Sequence, residues 1–300
     1  MSVWFSPSET HGFARLRAGW RAAIYAAVVS APVVIARFAV PRPAAAAAAT
    51  PIPPIGMIVG EVIPLLWVTL ITWILARLEH QPLGHYGLPG RSAFGARFWQ
   101  GVIWGAVSLT VLLLLILASG DYGFGAVATH GGSLARYAVV WAIAFLAVGF
   151  FEEFCFRGYA LITLREGAGF WTAALILSAA FGAVHLGNGG EDFMGALSAG
   201  LIGLFLCFTW LRTGSLWFAV GFHAAWDYCE SFVYGVPDSG AVSPGRLLAP
   251  SFHGSRWITG GSVGPEGSLW ILLVIAALFV LFAIAFPSPG RLEHHAAAAS

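Results

Sequence analysis

The 300-residue chain has no lysine; all fifteen of its basic residues are arginine. That bias points to a GC-rich genome and says little about mechanism. Charge of either sign is scarce, at 10% of residues against 58% hydrophobic, and the mean hydropathy is +0.80. An ordinary water-soluble globule is thereby excluded. A net charge of +1 and the lack of a basic tail leave no electrostatic footprint for nucleic acid, so no nucleic-acid partner is expected. The three cysteines, Cys155, Cys207 and Cys229, fall in apolar segments at unrelated spacings. They exclude a disulfide framework and a paired-cysteine metal or redox site, and read as small core residues.

What the chain does have is long apolar runs, near 20–40, 55–78, 98–119, 134–164, 170–187, 193–213, 215–235 and 268–286. About 20 residues of helix cross a bilayer core of roughly 30 Å. The runs lack the alternation of barrel strands, and a spanning segment must satisfy its own backbone, so each is expected to be a helix. The fold expected is all-α: a single polytopic integral membrane bundle of about eight transmembrane helices. With the N-terminus inside, arginines 15, 17, 21, 77, 91, 97, 157, 165, 212 and 291 lie on the cytoplasmic side, against 37, 42, 136, 246 and 256 outside. The positive-inside rule then places both termini in the cytoplasm.

Residues 41–54 read as an outer Pro/Ala linker. A cleaved signal peptide is the competing reading of the first run, disfavoured by its length, by Arg37 and by the seven runs that follow. The loop 236–267 carries no motif, and 291–300 resembles a tail left by cloning. Trp99, Trp171, Trp217 and Trp270, near span ends, read as an interfacial belt.

Ionisable residues inside spans are costly and mark function by default. Here they concentrate: Glu152, Glu153 and Arg157 in the fourth run, His185 at the end of the fifth, and His223, Asp227 and Glu230 in the seventh, with Glu61 in the second. Glu153 and Arg157 are four apart, share a helix face and can pair; Glu152 lies about 100° further round and is left free. His223, Asp227 and Glu230 form one polar stripe, with Glu230 read either as support for Asp227 or as a carboxylate facing headgroups or a loop. Glu61, three residues before Pro64, is given no role. Three helices thus aim polar groups inward around one wet cavity, an arrangement suited to hydrolysis by a carboxylate-activated water.

The motifs EEFCFR, FGAVH and HAAWD, in that order on separate spans, resemble the EExxxR, FxxxH and HxxxN/D motifs of the CAAX-protease and bacteriocin-processing (CPBP) family, also called Abi proteins. The resemblance covers about 134–235. It implies a catalytic core of helices 4 to 7 and an intramembrane endopeptidase acting on a membrane-anchored protein or peptide. In that reading Glu152 activates water, and Glu153 and Arg157 fix its geometry. His185 and His223 hold the water or the scissile carbonyl, and Asp227 closes the site. Asn is the commoner residue at the last position, so Asp227 either stays protonated or orients His223. The resemblance leaves two chemistries open: a zinc ion on Glu152, His185 and His223, or a metal-free glutamate peptidase. A cytoplasmic opening of the cavity fits the family.

The resemblance implies CAAX-type, leader or C-terminal sorting-signal processing; the Arg-only basic set and compact core look bacterial, which favours a signal or leader peptide, a bacteriocin precursor or a C-terminal sorting tail in a bacterial cell membrane over a prenylated CaaX protein. Two other classes compete. A proton- or ion-coupled transporter would use the same groups as a relay, but no inverted repeat is present. A non-catalytic peptide-binding immunity protein would tolerate loss of Glu152.

Overall fold

The computed structural model describes residues 16–39 and 53–287. Most of the expected Pro/Ala linker (41–52), His11, His294, His295 and the 291–300 tail lie outside them. In chain order the elements are α1 (Ala18–Ala39), α2 (Pro54–Leu78), α3 (Ala96–Ala118), β1 (Tyr122–Val127) and α4 (Gly131–Glu153). A π-helical segment Phe154–Tyr159 leads into α5 (Ala160–Ala168), then α6 (Phe170–His185), α7 (Phe193–Thr213) and α8 (Trp217–Asp227). A second π-helical segment, Tyr228–Tyr234, precedes β2 (Leu248–Phe252), α9 (Arg256–Thr259) and α10 (Trp270–Ala285).

The molecule is a largely apolar helical bundle of an integral membrane protein. Among the described residues, five helical stretches are long and apolar enough to cross a membrane: Ala18–Ile35, Pro54–Leu78, Ala96–Ala118, Gly131–Ala168 and Phe193–Thr213. The other three expected spans differ. α6 and α10 are apolar but only 16 residues long, and the seventh run divides into α8 and its π segment. Gly131–Ala168, at 38 residues, is too long for a single straight crossing. It breaks at Gly158, whose ψ of −115° is not helical, so α5 leaves the line of α4 and packs on α1 and α6.

Without a hydrophobic force between helices in lipid, close backbone approach decides packing. Gly101 and Gly105 in α3 form a small-xxx-small pair against α8. A Cβ would lie 2.1 Å from the Phe218 carbonyl oxygen at Gly101 and 2.2 Å from that of Phe222 at Gly105. Phe205 (α7), Phe218 and Phe222 (α8) and Phe282 (α10) fill the core beside this contact. Large apolar side chains such as Ile63, Ile103, Val139 and Val280 face outward, as a lipid-embedded surface requires.

The two ends of the bundle are tied differently. At one, Leu216 N donates to the Gly87 carbonyl (2.7 Å), and Arg21 pairs with Glu79 (2.9 Å) and with Glu166. The hydroxyls of Tyr86 and Tyr159 also converge on Glu79. Trp217 is buried there, its indole donating to the Pro89 carbonyl (3.1 Å), rather than sitting in an interfacial belt. At the other end, β1 pairs antiparallel with β2 across a bulge between Gly123 and Ala126. This strand pair, unexpected from sequence, orders part of the 236–267 loop. Trp141 Nε1 bonds the Pro244 carbonyl (2.9 Å), and Ser262 Oγ bonds that of Gly190 (3.0 Å).

Candidate active site

α4 delivers Glu152 and Glu153 at its last turn, and the two point apart as adjacent helical residues must. Glu153 is fully buried. Its Oε1 accepts from Arg157 Nη1 (3.0 Å) and lies 2.8 Å from His223 Nδ1. A carboxylate paired with arginine accepts, so the His223 proton sits on Nδ1 and the ring orientation is fixed. Nε2 of His223 is thereby turned away from Glu153, 3.5 Å from Glu152 Oε2 and 3.5 Å from Asp227 Oδ2. Asp227 thus flanks the same nitrogen as Glu152.

Arg157 is fully buried and is packed on three sides. Glu153 is one side; the second is the face of Phe181, whose centroid lies 4.2 Å from the guanidinium carbon. The third is Gly203 of α7, where a Cβ would sit 2.4 Å from Nη2, so only glycine leaves room. Phe181 also holds His185, whose Nδ1 donates to the Phe181 carbonyl at 2.7 Å. That leaves His185 Nε2 available to a substrate or water.

These groups border one cavity of about 500 Å³, lined by Glu61, Glu152, Phe181, His185, His223 and Asp227. Glu153 and Arg157 lie behind its wall. At its far side the lining passes to Asn188, Gly189, the stretch Ser239–Ser243 and Glu266, all from loops at the β1–β2 end.

Among the described residues, Glu230, Asp238 and Glu266 bring one ligand atom each within 4.8 Å of one another. Nδ1 of His223 faces Glu153 and Nδ1 of His185 donates to a backbone carbonyl, which leaves Nε2 of both rings for the cavity, as a metal-bound histidine also requires. Glu230 is wholly buried, so it faces neither lipid headgroups nor a solvated loop.

Ser239 Oγ (3.3 Å) and Trp226 Nε1 (2.9 Å) donate to Glu266, and Ser231 Oγ (2.9 Å) donates to Asp238. In these connecting segments burial, reinforced by Asp238, pushes the Glu266 carboxyl up to about 8, and burial pushes Asp238 up to about 6.

Glu61, Asp238 and Glu266 are therefore part of the site although sequence reasoning gave them no place. Glu61 lines the cavity, and its buried Oε2 has no hydrogen-bond partner. Only its charge inside a span signalled it. Asp238 and Glu266 stand in a polar loop, where a carboxylate carries no signal at all.

An apolar bundle that buries a glutamate–arginine–histidine network behind a wet, carboxylate-lined cavity belongs to the class of membrane proteins with an intramembrane reaction chamber. Residues 134–229 match the family described as type II CAAX prenyl endopeptidase Rce1-like, so a domain of that family is identified over this part of the chain. The matched segment runs from α4 into the second π segment and includes all three motifs. No curated protein and no solved structure matches the chain.

Proposed function

We propose that the protein is an intramembrane endopeptidase in which Glu152 activates water against a peptide bond of a membrane-anchored substrate. The single observation that carries this reading is the linkage Arg157–Glu153–His223, which aims His223 Nε2 at Glu152 inside the cavity. Glu152 takes a proton from water as the oxygen attacks the scissile carbonyl carbon. The oxyanion so formed faces Nε2 of His185 and Nε2 of His223. As the tetrahedral carbon collapses and the C–N bond breaks, Glu152 returns the proton to the departing amine. Glu153, Arg157 and Asp227 touch no reacting atom; they are positioning residues for His223. No step passes through a metal.

The orientation follows from the arginines. Arg17, Arg21, Arg77, Arg91, Arg97, Arg165 and Arg212 stand at the end of the bundle opposite the β1–β2 pair, and Arg136, Arg246 and Arg256 at the β1–β2 end. The positive-inside rule puts the first end, and with it both termini, in the cytoplasm. The Ser239, Ser243 and Glu266 side of the cavity lining then lies toward the outer face, in contrast to the cytoplasmic opening that fits the family. Substrates of that location are leader peptides or C-terminal sorting tails of a bacterial cell membrane. Glu61, Glu152, Asp227, Asp238 and Glu266 all line the cavity, so segments free of acidic side chains at the cut are favoured.

The test is cleavage of a panel of membrane-anchored peptides by the purified protein and by Glu152→Gln in detergent, with and without a chelator of zinc. Cleavage by the wild type with chelator present, abolished by Glu152→Gln, is expected. Equal cleavage by both proteins would remove Glu152 as the base, and loss on chelation would bring back the metal.

A further inference from the structure

The second half of the cavity wall holds a constellation that the hydrolytic scheme does not use. Glu230 follows Asp227 by one turn in the π segment, Asp238 lies in the turn after it, and Glu266 immediately precedes α10. One carboxylate oxygen from each lies within 4.8 Å of the others. Glu230 is fully buried, and neither of its oxygens has a hydrogen-bond partner. A buried carboxylate in this state lacks the compensation that burial demands. Of the other groups facing the cluster, Asp227 and Glu191 are further acids, Trp226, Ser231 and Ser239 give neutral donors, and the imidazoles of His185 and His223 lie toward Asp238. The arginines of this loop are used elsewhere, Arg246 on the Gly235 carbonyl (2.9 Å) and Arg256 near Asp192 (3.7 Å).

We propose that Glu230, Asp238 and Glu266 bind one hard divalent cation, of the calcium type, which pins the 236–267 loop to the helix that carries His223 and Asp227. The donor set is all carboxylate oxygen, with no thiolate or imidazole, which selects a hard ion over zinc. The cluster offers one oxygen from each of three carboxylates, and water supplies the remaining positions that Ca²⁺ takes. The ligands come from three separate stretches of chain. The bound ion therefore closes two loop arms that are otherwise joined by single contacts such as Gly240 N to the Val263 carbonyl (2.9 Å). Because Asp238 and Glu266 line the cavity, its far wall is firm only when the ion is present.

This site stands apart from the choice of Glu152 as base, and its test needs no substrate. Full-length protein, freed of metal by chelator and held in detergent, is titrated with Tb³⁺ as a calcium analogue, excited through Trp226, whose indole contacts Glu266. The expected result is luminescence that saturates at one ion per chain and is displaced by Ca²⁺. It falls at least tenfold in apparent affinity in Glu230→Gln and Glu266→Gln and is unchanged in Glu152→Gln. Thermal melting in Ca²⁺ rises for the wild type and not for the two variants. Each variant removes a buried negative charge, so its melting point in chelator stays at or above the wild-type value, which verifies that it folds; Asp238→Asn serves if either does not. Overturning results are the absence of saturable luminescence in the wild type, equal affinity in Glu230→Gln and Glu266→Gln, loss in Glu152→Gln, or displacement by Zn²⁺ more readily than by Ca²⁺.

Discussion

Glu152 and Glu153 are neighbours in sequence, yet Glu→Gln at the two positions is expected to have opposite signatures. Glu153 and Arg157 are both wholly buried, and one oxygen of Glu153 serves both the guanidinium at 3.0 Å and His223 at 2.8 Å. Removing one partner of such a pair leaves the other charge buried alone, at a cost of about 3–5 kcal/mol. For a chain of this size that corresponds to a fall in melting temperature on the order of 10 °C. Glu152 is 21% exposed, and its nearest charged partner is 3.5 Å away, so its replacement is expected to cost less than about 1 kcal/mol. Unfolding is read with a thiol-reactive dye, because Cys207 is fully buried and becomes reactive only when the bundle opens. Glu153→Gln should lose both stability and cleavage, Glu152→Gln cleavage alone. The double variant Glu153→Gln/Arg157→Met, which removes both charges, should regain most of the stability and none of the cleavage. If Glu153→Gln melts with the wild type, the buried pair is not what holds α4 to α8.

Gly203→Ala places a methyl 2.4 Å from Arg157 Nη2 and should lower kcat while leaving the KM of a short peptide nearly unchanged; unaltered kinetics would mean the guanidinium can move freely. Gly105→Leu drives a side chain into the Phe222 carbonyl across the α3–α8 contact, so it should prevent recovery of folded protein, which size-exclusion chromatography reads directly. Tyr25→Phe removes the hydroxyl that donates to the Cys155 carbonyl at 3.0 Å and should cost about 1 kcal/mol in thermal stability; no change would show that water replaces the bond. A cysteine placed at Ser243 should be labelled by an impermeant thiol reagent from outside intact cells and one at Ser92 should not; the reverse pattern would invert the orientation argued from the arginines.

The apolar runs were legible because about 20 residues without charge have few alternatives to a spanning helix. The Glu153–Arg157 pair was legible for a similar reason, since four-residue spacing on a helix leaves little choice of partner. What spacing within one helix does not encode is which neighbour completes the arrangement. That Glu153 also holds His223, 70 residues on, depends on how α4 meets α8. The Gly101–Gly105 pair is visible as a pattern, but the helix that fills it is not. Asp238 and Glu266 were hidden for a different reason: in a polar loop a carboxylate is normally solvated, and only the folding of that loop over the cavity makes it costly. The lengths of α6 and α10 were overestimated because apolar residues continue past the ends of both helices into packed connections.

Two of the three helices that carry the proposed reacting groups change from α to π just after them, at Phe154–Tyr159 behind Glu153 and at Tyr228–Tyr234 behind Asp227. A π turn holds about one residue more than an α turn, so each acts as a stored insertion that resets the angular phase of everything downstream. For Arg157 and Glu230 the phase is part of the address: deleting any one residue between 154 and 156 would shorten the spacing to Arg157 from four to three, leaving it beside Glu153 but turning it about 100° from its seat against Phe181 and Gly203, with every apolar position still apolar. Such a deletion would pass any test of membrane insertion and fail at that seat. In this chain a single-residue gap within either π segment is therefore a more severe lesion than many substitutions, and a designer who idealised the two helices would erase the offset on which the site depends.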